Sequence, residues 1–171
     1  MRHEFAGAAP AVEESAFVSA MAYLVGDVAV EEEASVWPFV CMRGDEGPVN
    51  VGRETNVQEF TMLHGATLGE EVTVWHGAVV DFAEVADHSL VGMGSSVMGG
   101  AVVESNCIVA ANAVVRQGQR IPEGHMAYGV PAETRPLTDD QLEQIGRTHR
   151  HYVELGHRFR TDDVEGTGPE R

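Results

Sequence analysis

The sequence predicts an all-β protein: a parallel β-helix, a prism built from a hexapeptide repeat, followed by one C-terminal α-helix. Three observations predict it. Aliphatic residues recur every six positions, small residues usually follow them at an offset of four, and the repeat stops at Pro136, where a helical pattern begins.

The repeat runs in four segments. Leu24, Val30, Val36 and Met42 form the first, Val51, Val57 and Leu63 the second, and Leu68, Val74 and Val80 the third. The fourth is Val85, Val91, Val97, Val103, Val109, Val115 and Ile121. Four positions after these residues stand Ala34, Thr55, Thr61, Ala78, Ser89, Ser95, Ala101, Cys107 and Ala113, among others. Period six is incommensurate with the α-helix, and its glycine and β-branched content disfavours helix as well. A flat hairpin array would need strict alternation, which is absent. One hexad per face of a three-sided prism, about 18 residues per coil, satisfies the pattern, each coil bonding to its neighbours at ~4.8 Å. The breaks are local. Met42 to Val51 carries three extra residues, while Leu63 to Leu68 and Val80 to Val85 each lose one.

After Pro136, Thr138-Asp139-Asp140-Gln141 reads as a capped helix start. Leu142, Ile145, Tyr152 and Leu155 continue one helix to about Phe159. The expected organisation is a β-helix over 1–136, a helix over 137–160 and a disordered polar tail over 161–171.

The chain has 171 residues and a net charge of −16, and its positive charge is all arginine. That field repels nucleic acid and anionic lipid. Excess carboxylate without lysine suits a halophilic cytoplasm, although a genome that prefers arginine codons would leave the same mark. No apolar run approaches the ~20 residues of a membrane span, and Met1 to Pro10 lacks a secretory h-region. Cys41 and Cys107 form no disulfide framework and fit buried, reduced thiols, so the expected location is cytoplasmic.

Met42, Leu63 and Val80 start hexads on one face of successive coils. The next residues, Arg43, His64 and Asp81, therefore stack in one column at one edge, about 5 Å per step. His76 falls on a different face, too far round to join them, so a threefold assembly would be needed to bring a neighbour's His76 to that edge. Glu59 precedes His76 by about one coil in the same slot and is placed to support it. His88 is a second candidate ligand with a poorer slot. His149, His151 and His157 fall on the helix and are expected in solvent or against a neighbour. Trp37 and Trp75 read as core or interface residues, and Glu31–Glu33 as a solvated corner.

The stretch Val36-Trp-Pro-Phe-Val-Cys-Met-Arg-Gly-Asp-Glu-Gly, then Asn56-Val-Gln58, Leu63-His64, His76-Gly-Ala and Gly129-Val-Pro-Ala resembles the γ-class carbonic anhydrase family over residues 10–137. The resemblance implies the left-handed form of the β-helix, a homotrimer, and one Zn(2+) or Fe(2+), with Co(2+) as a further option, per subunit interface. It implies reversible hydration of carbon dioxide to bicarbonate. His64 and His76 match two metal-binding histidines, the second donated by the partner subunit. Asp81 stands where the family has its third histidine. Arg43 and Asp45 match a pair that ties subunits together, Asn56 and Gln58 match pocket residues that orient substrate, and Glu46 matches a proton carrier. The acidic proton-shuttle loop of the prototype has no counterpart here. A carboxylate ligand cancels one unit of metal charge, and two histidines with one carboxylate also suit ferrous iron. Three functional classes stay open: a carbon dioxide-hydrating metalloenzyme, a metal- or bicarbonate-binding trimer with little turnover, and a hexapeptide-repeat acyltransferase.

Overall fold

The computed structural model describes residues 1–162, and they form a left-handed parallel β-helix with one C-terminal helix, as the repeat predicts. Every repeat aliphatic points inward, and none from Leu24 to Ile121 is more than 2% exposed. Burying one such side chain contributes about 1.5–3 kcal/mol.

One face carries Met62–His64, Val79–Asp81, Ser96–Val97 and Val114–Val115 in parallel register. A second carries Thr67–Leu68, Glu84–Val85, Val102–Val103 and Arg120–Ile121. The third runs from Phe17–Val18 through Asn56–Val57 and Thr73–Val74 to His125–Tyr128. Glu133–Pro136 then turns back antiparallel on the last coil.

The repeat defects become visible features. Strands Tyr23–Val30 and Cys41–Val51 run on from the first face to the second without a break. Between them the register slips: Gly26 faces Gly44, but Val28 faces Val49. The three extra residues are thus a bulge, which projects Asp45 and Glu46 from the corner. A Cβ on Gly44 would lie 2.1 Å from the Asp27 carbonyl oxygen, so only glycine lets the two strands cross this corner together. The two shortened hexads turn at Gly65 and Phe82, with φ of 53° and 46°. Phe82 is a bulky residue in the left-handed region, which costs energy that its contacts must offset.

The helix Asp139–Thr161 starts at a capping box, in which the Thr138 side chain accepts from the Gln141 amide and Gln141 reaches back to the Thr138 amide. It lies on the third face. Trp37 packs edge-on against Phe159 and Tyr152, with ring centroids 4.8 Å and 5.9 Å apart, and Ile145 joins Leu90 and Ile108. One of the helix histidines departs from the solvated reading. His149 is only 5% exposed and sits between two carboxylates, with Nε2 3.0 Å from Glu54 and Nδ1 3.4 Å from Glu71. His157 reaches Glu33, and His151 stays exposed beside Tyr152. Glu33, Glu54, Glu71, His88 and Asn106 form one corner column, all with left-handed φ, along which the helix runs. Thr161 and Asp162 close the helix, and the rest of the expected tail lies outside the described residues.

Three outcomes follow from this packing. Leu68→Ala should lower the unfolding free energy in urea by about 2–5 kcal/mol. Leu142→Ala, at a helix position 41% exposed, should change it by less than about 0.5 kcal/mol. Burial pushes the Cys107 thiol up from its ordinary value. It should therefore resist an aromatic disulfide reagent at pH 8 in the folded protein and react once urea unfolds the chain.

Candidate metal centre

The column predicted from the repeat is present: Arg43 pairs with His64, and His64 with Asp81, on adjacent strands. It stands at the corner where all three defects of the repeat meet: the bulge carrying Asp45 and Glu46, and the short turns at Gly65 and Phe82.

Arg43 clamps Asp45 through two hydrogen bonds, Nη2 to Oδ2 at 2.7 Å and Nε to Oδ1 at 3.2 Å. That bonding to the guanidinium holds the Asp45 carboxyl below the usual carboxylate range. His64 Nδ1 lies 2.9 Å from Asp81 Oδ1, within hydrogen-bond reach. Its other nitrogen, Nε2, is buried and has no hydrogen-bond partner among the described residues. The nearest carboxylate oxygens belong to Asp45 and Glu46, at 3.7 Å and 3.8 Å, beyond hydrogen-bond reach. The Phe82 ring stands edge-on to the imidazole at 4.6 Å and closes one side of the site.

His76 lies at a different corner, as its hexad position requires. Its Nδ1 is bonded to Glu59 Oε2 at 2.7 Å, one coil earlier. The two histidines are thus prepared alike. Each has a carboxylate on Nδ1 from a residue 17 positions away, which leaves Nε2 as the free nitrogen. Among the described residues, no three His, Cys, Asp or Glu side chains converge closely enough to hold a metal ion. A three-ligand site built on His64 is not assembled by the described residues of one chain alone. The donors present fit such an ion in part: a buried imidazole nitrogen without a hydrogen-bond partner, with carboxylates near it, is the chemistry a divalent ion takes.

Asn56 and Gln58 sit on the third face, 1% and 0% exposed. Gln58 Nε2 donates to Asn56 Oδ1 at 2.9 Å, and Asn56 Nδ2 donates to Thr73 Oγ1 at 2.8 Å. The register stacks Gln58 between Trp37 and Trp75. Among the described residues no hydrogen bond links this pair to His64 or Asp81. Gln58 Oε1 is buried and unpartnered. His88 is committed elsewhere, with Nδ1 3.1 Å from Glu71 Oε2. The sequence reading passed over Phe82. Its signal was present, since Phe82 stands in a shortened hexad directly after Asp81.

Comparison with known proteins adds four findings. Residues 82–117 match a family model described as bacterial transferase hexapeptide, six repeats. The chain is 32% identical to a carbonic anhydrase of Geobacillus kaustophilus, covering 94% of this chain and 91% of that protein. It is 36% identical over 85% of its length to a mitochondrial gamma carbonic anhydrase 2 of Arabidopsis thaliana, and spans 57% of that longer relative. Among solved structures, a hexapeptide transferase family protein from Anaplasma phagocytophilum superposes with a TM-score of 0.90. That pair is 30% identical and the match covers 92% of this chain and 97% of the other.

The buried amide network makes its own prediction. Asn56→Ala leaves the Gln58 amide without its acceptor and should cost about 1–3 kcal/mol in chemical denaturation.

Proposed function

The chain belongs to the γ-class carbonic anhydrase family, and from that premise we propose that it reversibly hydrates carbon dioxide to bicarbonate at a divalent metal held between subunits of a homotrimer. The observation that carries this reading is the buried, unpartnered Nε2 of His64, with the matching free nitrogen of His76 one corner away on the same chain. Rotation by a third of a turn lets one subunit's His76 face another's His64. Those two residues, beside Asp81, would hold Zn(2+), Fe(2+) or Co(2+). The ion would supply Lewis acidity, the property that lets water be deprotonated near neutral pH.

The chain's own residues have separate tasks. Arg43 holds Asp45 still, so that this carboxylate shapes the corner and the contact between subunits. Glu46 has a side chain 66% exposed and stands on the bulge, with an oxygen 3.8 Å from His64 Nε2. It can take a proton from the site and release it to bulk water. The part of Asn56 and Gln58 in orienting substrate runs through Gln58 Oε1, the acceptor of that pair left without a donor, which a bicarbonate hydroxyl would satisfy.

A second reading is a trimer that binds metal or bicarbonate with little turnover. The negative charge of Asp81 beside the ion favours it, because a carboxylate weakens the acidity of bound water. The family model and the Anaplasma relative carry the name transferase, so acetyl transfer is the activity to test in parallel.

The deciding experiment is intersubunit complementation. The full chain should elute as three copies of 18.4 kDa and hydrate carbon dioxide in stopped flow. A chelator should remove that activity, and zinc, ferrous or cobalt ion should restore it. His64→Ala and His76→Ala should each fall to background, while trimers mixed from the two recover part of the rate, since some interfaces keep both histidines. A stable monomer, or no recovery on mixing, would sink the shared site. Metal binding without hydration would favour the second reading.

A further inference from the structure

We propose that Asp81 is a positioning residue and not the third metal ligand: it fixes His64 as the tautomer protonated on Nδ1 and presents Nε2 to the ion. This rests on the metal-dependent reading above and assigns the part of the one residue that departs from the family's ligand pattern.

Asp81 occupies the sequence position of a ligand, but its Oδ1 lies 2.9 Å from Nδ1 of His64. A carboxylate oxygen accepts, so the proton of the neutral ring is on Nδ1 and the lone pair is on Nε2. If Asp81 and Nδ1 instead shared an ion, Nε2 would carry the proton, buried, with its nearest acceptors at 3.7 Å and 3.8 Å. That arrangement leaves a buried donor unsatisfied, whereas the proposed one leaves none once the ion is bound.

The second histidine repeats the device with its parts in reverse order. Glu59, 17 residues before His76, holds its Nδ1 at 2.7 Å, while Asp81 stands 17 residues after His64. Both carboxylates are one coil from the ring they orient, so the stacking of coils itself supplies the spacing.

Phe82 completes the lock on His64. Its ring meets the imidazole edge-on at 4.6 Å. It is seated over two glycines: a Cβ on Gly65 would lie 2.6 Å from the ring, and one on Gly47 3.0 Å. The imidazole is therefore held by a carboxylate at one nitrogen and an aromatic wall at its side, with Nε2 the atom left over.

The test uses full-length protein with 15N-labelled histidine, first without metal. Long-range proton–nitrogen correlation should show His64 protonated on Nδ1 in the wild type and in Asp81→Asn, whose amide oxygen still accepts. Asp81→Ala should move His64 to the Nε2-protonated form while His76 keeps its tautomer as an internal control. Titration with Co(2+) or Zn(2+) should then show Asp81→Asn binding the wild-type number of ions, about 10–100-fold more weakly. The proposal is overturned if wild-type His64 is protonated on Nε2, or if Asp81→Asn loses the ion as completely as His64→Ala. Should the wild type bind no ion at all, the metal-dependent reading fails, and the tautomer measurement still decides whether Asp81 positions the ring.

Discussion

The interior of the prism admits one repeat aliphatic and one smaller side chain per face per coil, and everything else follows from that limit. Parallel coils bond to each other at a fixed spacing, so a residue's place in its hexad fixes both its face and its neighbours above and below. The core from Leu24 to Ile121 has no room to vary. Variation is pushed to the corners, where side chains point outward and the backbone takes left-handed turns.

The candidate centre shows how chemistry is fitted to such a frame. It lies where the repeat is broken, because a regular corner offers only outward, solvated side chains. Three added residues lift Asp45 and Glu46 over the edge. Two subtracted ones tighten the corner at Gly65 and Phe82 and pull a ring against His64. Insertion and deletion together enclose His64, whose side chain is 12% exposed.

Much of this was legible in the sequence. The stacking of Arg43, His64 and Asp81, and the pairing of Glu59 with His76, follow from counting residues per coil. Both are legible because backbone ladders fix that geometry. What stayed hidden depends on side-chain rotamers and tertiary docking. The hexad count places Asp81 beside His64 but does not say which ring nitrogen it meets. Helical periodicity placed His149 on the helix, yet could not show it turned inward between Glu54 and Glu71, because the helix and its corner are far apart in sequence. Asn56 and Gln58 were read as pocket residues from their motif alone, and their bonds to each other and to Thr73 depend on side-chain rotamers.

The corner column beneath the helix sets up a mismatch between two rulers. The helix advances about 1.5 Å per residue, and the coils about 4.8 Å per step. His149 and His157 lie eight helical residues, about 12 Å, apart, while Glu54 and Glu33 stand on adjacent coils, so both pairs meet at one setting of the helix along the column. Such a scale behaves as a vernier: it reads true at one setting. Tandem duplication of a coil, the easiest way for a repeat to grow, would leave the interior intact and put this latch out of step. The helix thereby fixes the length of a prism whose core could otherwise extend without limit.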